Sequence, residues 1–304
     1  MNRKPSRKDP SKRDLYADIT AKIVAAIEAG AETCSLPWRV VSGPPENVAS
    51  HRRYRGINTL LLWLTGHAEG YATPYWATFK QWRDLGHPVR KGETATTVIF
   101  WKPLDDRAAP DSERPDGDEE KSRRVLARAY AVFNAAQVDG FAAPEIQPLS
   151  EDERDARAEA FFARLPITVL HEDEKAFYRP ATDTVHLPPF GRFKDANAYY
   201  SVRGHESVHA TAAPWRVGRD ISERFGSEGY AFEELIAELG AAFLCADLGL
   251  SAEPRPDHAD YIASWLKVLR NDTRAVFVAA GKAQAAVDWL HRQQEAEAPN
   301  KPPE

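Results

Sequence analysis

The chain has 304 residues, 43% of them hydrophobic and 28% charged, with a formal net charge of −5. That make-up is a folded protein facing water, long enough for two domains of ordinary size, each with its own core. No run approaches the roughly eighteen apolar residues of a membrane-spanning helix, and no apolar stretch follows the basic start Met1-Asn-Arg-Lys-Pro-Ser-Arg-Lys8, which argues against a secretory signal.

The two cysteines, Cys34 and Cys245, fall in different candidate domains, as expected of a reducing cytoplasm. Charge is unevenly placed. Residues 1–104 carry 16 Lys/Arg against 9 Asp/Glu, whereas residues 105–304 carry 24 against 36. A basic first third joined to an acidic remainder predicts two surfaces with different partners.

Residues 1–12, rich in Lys, Arg, Ser and Pro, are expected to be a disordered tail. Asp14 then caps a predicted helix in which Leu15, Ile19, Ile23 and Ile27 recur every four residues before Gly30. After an irregular stretch through Pro37-Trp38 and Pro44-Pro45, Asn58 is the expected cap of a helix from Thr59 to His67. Tyr75 to Gly86 reads as a short helix and Val89-Arg-Lys-Gly92 as a turn. Thr96–Trp101 and Val125–Phe133 read as strands that pair across a charged, mobile insertion at 105–123. A first domain at 13–141 and a linker at 142–150 follow from this pattern.

The second domain, 151–294, opens with a helix from Glu151 to Leu165. It continues with short strands at Thr168–Leu170 and Thr184–Leu187, joined by a turn at Tyr178–Asp183. A helix begins near Asn197 and stops before Pro214. An apolar one runs from Tyr230 to a C-terminal cap at Gly249, and two more cover Asp257–Leu269 and Thr273–Arg292. The tail at 295–304 is expected to be disordered. Helices and strands segregated in this way predict an α+β protein.

The chemistry concentrates in His205-Glu-Ser-Val-His209. Residues four apart on a helix share a face, so His205 and His209 can offer two imidazole nitrogens to one metal ion, with Glu206 beside them as general base. Three protein ligands and one open position suit a catalytic zinc, or another divalent metal. The apolar helix that follows carries Glu234 and Glu238 one turn apart, and a carboxylate buried there needs a cation, a donor or a metal. Glu234 is the expected third ligand, Glu238 the residue that orients a ligand histidine, and Glu233 a solvated neighbour. Asp220 is a weaker rival ligand. In metzincins a third histidine falls where Trp215 stands. The H-E-x-x-H and E-x-x-A-E pair therefore resembles the gluzincins. Among zincins an edge strand commonly lies beside the metal, and Thr184–Leu187 is its expected counterpart, able to bind a peptide as an added strand.

In the first domain Arg52, Arg53, Tyr54 and Arg55 stand together, followed by Trp76, Lys80, Arg90 and Lys91. Cations that follow phosphates and rings that stack on exposed bases are the means of holding single-stranded nucleic acid. No basic helix or helix-turn-helix pattern suited to a duplex is evident.

Tyr54-Arg-Gly-Ile-Asn58, Trp76-x-Thr-Phe-Lys-Gln81, Val89-Arg-Lys-Gly92 and Val132-Phe-Asn134 make the first domain resemble the N-terminal domain of ArdC-type antirestriction proteins. The N-terminus of TraC-type plasmid primases has the same domain. Tyr178 to Pro188, the two metal motifs and Tyr261-Ile-Ala-Ser-Trp-Leu-Lys267 resemble that family's zincin-like metallopeptidase domain. The resemblance implies a nucleic-acid-binding domain that prefers single-stranded DNA, with Asn58 and Gln81 joining its candidate contacts, attached to a protease-like metal domain. It implies work during plasmid conjugation, protecting incoming DNA from the recipient's restriction enzymes, with a restriction subunit or another protein as possible substrate. The alternative is a cytoplasmic zinc metallopeptidase whose first domain selects a protein substrate.

Overall fold

The structure, a computed structural model, describes residues 14–31, 38, 43–103, 125–144, 150–172, 174–221, 226–251 and 258–295. The expected N-terminal tail, the 105–123 insertion, residues 145–149 of the linker and the tail beyond 295 lie outside the described residues, as does Cys34. No described helix is long and apolar enough to cross a membrane.

The first half comprises α1 (Leu15–Ala31), β1 (Glu46–Asn47), β2 (Arg52–Arg53), α2 (Ile57–Glu69), β3 (Tyr75–Thr78), α3 (Phe79–Asp84), β4 (Thr96–Pro103) and β5 (Val125–Asn134). Its sheet runs in the order β2-β1-β3-β5-β4. β4 pairs antiparallel with β5 over its whole length, with Val98 opposite Tyr130 and Phe100 opposite Arg128, as the alternation of β-branched and aromatic residues predicts.

Two local expectations give way here. The helix expected over Tyr75–Gly86 divides into β3 and α3, because Thr78 is extended and its hydroxyl caps Gln81 N while the Gln81 side chain returns to Thr78 N, a capping box. Asn58 does not cap α2, which begins at Ile57, two residues before the expected Thr59, behind Gly56 at φ 55. Its amide instead exchanges two 2.7 Å hydrogen bonds with the backbone of Ile99, tying α2 to β4.

The second half comprises α4 (Glu151–Ala163), β6 (Thr168–Leu170), β7 (Phe177–Arg179), β8 (Thr184–His186), α5 (Ala196–Ala210), α6 (Glu228–Leu248), α7 (His258–Asn271) and α8 (Ala275–Arg292). The three strands lie in the order β6-β8-β7. The strand expected at the edge is therefore the central one: β8 is buried along its length, and β7 supplies an edge from the stretch expected to be a turn.

The two halves share one apolar core. Ile19, Ile23 and Ile27 of α1 and Leu60 and Leu61 of α2 belong to the same buried cluster as Leu235, Leu239 and Phe243 of α6 and Val287 of α8. Polar contacts cross the same seam: Thr20 Oγ1 donates to Thr273 O at 2.7 Å, and Gln284 Oε1 accepts from Gly56 N at 3.0 Å.

One close approach sets up the site. A Cβ at Gly240 of α6 would lie 2.9 Å from Val208 Cγ2 of α5, so glycine there lets the two helices approach. That approach brings α6 carboxylates against the α5 histidines.

Candidate metal centre and a basic groove

His205, His209 and Glu234 are all buried, and one ligand atom from each lies within 4.8 Å of the others. The two Nε2 atoms are 3.1 Å apart. Glu234 Oε2 is 3.4 Å from His205 Nε2, and Glu234 Oε1 is 3.4 Å from His209 Nε2. Three ligands about 2.0–2.1 Å from one ion in tetrahedral array stand about 3.3 Å apart. The donors thus fit a divalent ion in both type and spacing. Two imidazole nitrogens face each other here, an arrangement that calls for a proton or a cation between them.

Electrostatics agree. Burial alone would lower the His209 pKa, but the charge of Glu234, hydrogen bonds to Glu233 and Glu234 and the charge of Glu206 overcome it and raise it to about 10. Burial would raise the Glu234 pKa, yet the two histidines hold it far below the carboxylate range. The cluster attracts positive charge.

Each ligand histidine is backed by a carboxylate. Glu238 Oε2 lies 4.0 Å from His205 Nδ1, and its Oε1 accepts from Trp38 Nε1 at 3.3 Å. Glu233, expected to be solvated, is instead 7% exposed and stands 3.2 Å from His209 Nδ1. The cause is Arg219, whose guanidinium grips both Glu233 oxygens at 2.8 and 3.1 Å and also donates to Val208 O and Thr211 Oγ1. Glu233→Gln, which leaves Arg219 an acceptor but removes the charge, is expected to weaken divalent-metal affinity about 10–100-fold. Glu238→Gln should have the smaller effect. Competition against a chelating dye measures both, and the reverse order would exchange the two roles.

Glu206 is buried and opens into a cavity of about 230 Å³ shared with His209, Glu234, Tyr230 and the Phe177 and Tyr178 side chains of the β7 edge. Tyr230 hydroxyl is 3.2 Å from that of Tyr261. Burial first, then Glu234, raises its pKa and keeps the phenol protonated. Tyr199 and Tyr200 line a different cavity and bond to His171 and Glu159 respectively.

The candidate nucleic-acid residues divide into two groups. Arg52, Arg53, Tyr54, Arg55, Asn58 and Gln81 line one groove of about 1260 Å³. Trp76 does not: it is 2% exposed, packed with Leu62 and Val98, and has no ring face to offer a base. Lys80 pairs with Asp84 at 2.6 Å. Arg90 pairs with Glu93 at 2.7 Å and donates to Ala136 O and Val138 O, which commits it to its turn. Lys91, beside it, is exposed and away from the groove. Sequence reasoning missed Phe100, Arg128 and Tyr130, which join the groove. Their alternation along paired strands was the available signal.

Comparison with known proteins sets these sites in context. The N-terminal domain of anti-restriction factor ArdC matches residues 13–133, and the zincin-like metallopeptidase family matches residues 156–282. Protein y4eC of Sinorhizobium fredii is 52% identical over 285 residues, 92% of either chain. DNA primase TraC of Escherichia coli is 36% identical over 297 residues, which span 92% of this chain but 27% of the primase. The metal-free crystal structure of the antirestriction ArdC protein from plasmid R388 superposes with a TM-score of 0.75 at 37% identity, covering 93% of this chain and 98% of that one. Its Mn(II)-bound form gives the same TM-score at 36% identity, covering 95% and 100%.

Proposed function

The chain belongs to the ArdC family of antirestriction proteins, and from that premise we propose that it binds single-stranded DNA and holds a divalent ion at a hydrolytic site, protecting incoming plasmid DNA in the recipient cytoplasm. The observation that carries the metal part is the buried His205, His209 and Glu234 cluster with Glu206 opening beside it. The Mn(II)-bound relative supports a divalent ion at this site; zinc suits the two-histidine, one-carboxylate donor set equally well.

A bound ion supplies a Lewis acid that polarises a carbonyl and makes water acidic. Glu206 accepts the proton of the attacking water. Tyr230, kept protonated, is placed in the same cavity to donate to the carbonyl oxygen. The β7 edge beside them offers main-chain groups to an extended peptide.

Glu206→Gln separates the two activities. The amide keeps the shape of the side chain but takes no proton, so the variant should retain metal and single-strand binding while losing cleavage of restriction-enzyme subunits. In a restricting recipient, expression of the wild-type chain should raise the recovery of unmodified plasmid, and the variant shows how much of that protection needs hydrolysis. Full cleavage by the variant would remove Glu206 as the base. Absence of protection by the wild type would remove the antirestriction role.

A further inference from the structure

We propose that the single strand lies in a groove shared by both halves of the chain, its bases on Phe100 and Tyr130, its phosphates on arginines that acidic residues of the second half hold beforehand. The proposal rests on the single-strand reading above and locates it.

Phe100 and Tyr130 are 49% and 43% exposed on one face of the β4–β5 pair. Their centroids stand 5.5 Å apart with the planes at 82°, an edge-to-face contact that leaves ring faces open. Exposed rings gathered in one concave site mark a surface that a ligand covers, and a base offers the flat π-face that fits them.

The opposite wall is not part of the first half. Gly281, Gln284 and Ala285 of α8 line the same groove. Among the described residues four arginines, Arg52, Arg53, Arg55 and Arg128, also line it, with Asp288 as the one acidic side chain. That charge suits a phosphate chain.

Two of the arginines are already in ion pairs across the seam: Arg53 with Asp247 at 2.8 Å, and Arg55 with Asp288. Arginine in both pairs is more than half exposed, 55% and 59%. The guanidinium side of each pair faces water, which screens it and leaves the arginines within reach of a phosphate. Asp288, inside the groove, stands where a phosphate would, and Asp247 holds Arg53 from outside it.

Position 281 tests the shared wall without touching the first half. A Cβ there meets nothing within 4 Å, and the site is inside a helix, so side chains are accommodated. Binding of a labelled oligothymidylate of about ten nucleotides to the full chain is read by fluorescence anisotropy at ~50 mM salt, where the electrostatic part is largest. Gly281→Glu should weaken it and Gly281→Lys tighten it, each about fivefold, as for one unit charge near a phosphate at the surface. Phe100→Ala should weaken binding by roughly 5- to 150-fold, the range for one stacked base.

Asp288→Asn should tighten binding several-fold with little change in salt slope, because the phosphate no longer has to displace a carboxylate from Arg55 and no phosphate contact is added. If the wild type binds and both position-281 variants bind equally well, the shared groove is wrong while single-strand binding stands. Weaker binding by Asp288→Asn overturns the displacement of Asp288. If the wild type itself does not bind, the single-strand reading fails and this proposal fails with it.

Discussion

Replacing His205 and His209 together by alanine is expected to abolish stoichiometric binding of a divalent ion to the whole chain. The pair supplies two of the three clustered donors, and Glu234 alone, with no imidazole beside it, is an ordinary carboxylate. The effect is larger than the loss of a ligand. An ion present at about a thousand times its Kd stabilises the folded state by about 4 kcal/mol, which for a chain of this size is roughly six degrees in Tm. The wild type should show that shift when manganese or zinc is added, and the double variant should show none. Without any ion the variant should also melt below the wild type, because Glu234, 4% exposed, would keep its charge with neither histidine to balance it. Elemental analysis and a thermal melt read the two outcomes. A stoichiometric ion in the double variant would place the metal elsewhere.

The part of this site that was legible in the sequence is the part that local geometry dictates. His205 and His209 share a face because a helix repeats every 3.6 residues, and a carboxylate in an apolar helix must meet a cation, so Glu234 stood out. Glu233 did not, since its burial depends on Arg219, which reaches it across the loop between α5 and α6. Nothing in the local pattern distinguishes a glutamate on the gripped side of a helix from a solvated one. Trp76 failed for a similar reason. Mixed with cations in sequence it looks like a stacking ring, but β3 lies inside the sheet and its ring points into the core. Arg53 and Arg55 were found as cations, yet their partners are 194 and 233 residues away, beyond any sequence window. β7 escaped notice because a strand of three residues in a turn-like stretch gains its identity only by pairing with β8.

Metal affinity is expected to rise steeply with pH. His209 must be neutral to bind an ion, and in the ion-free protein its pKa is raised to about 10 from its ordinary 6.5. Below that value each ion bound displaces one proton, so apparent affinity should fall about tenfold for every pH unit removed, or about a thousandfold from pH 9 to pH 6. Titration calorimetry in buffers of different ionisation enthalpy would count the proton released.

The ion-free chain should show the opposite trend in stability. A raised folded-state pKa means that the His209 contribution is fully present below 6.5 and is lost as pH rises through about 10. The Glu234 pKa is depressed, so its contribution is present above its ordinary 4.5 and is lost as pH falls toward the folded value. This pair therefore stabilises the ion-free protein most between about 4.5 and 6.5 and progressively less on the alkaline side. Melting curves with and without a chelator should diverge as pH increases, the loaded protein gaining on the ion-free one. An affinity flat between pH 6 and 9, with no proton released, would mean that His209 is already neutral and that the glutamates around it do not hold a proton on the ring.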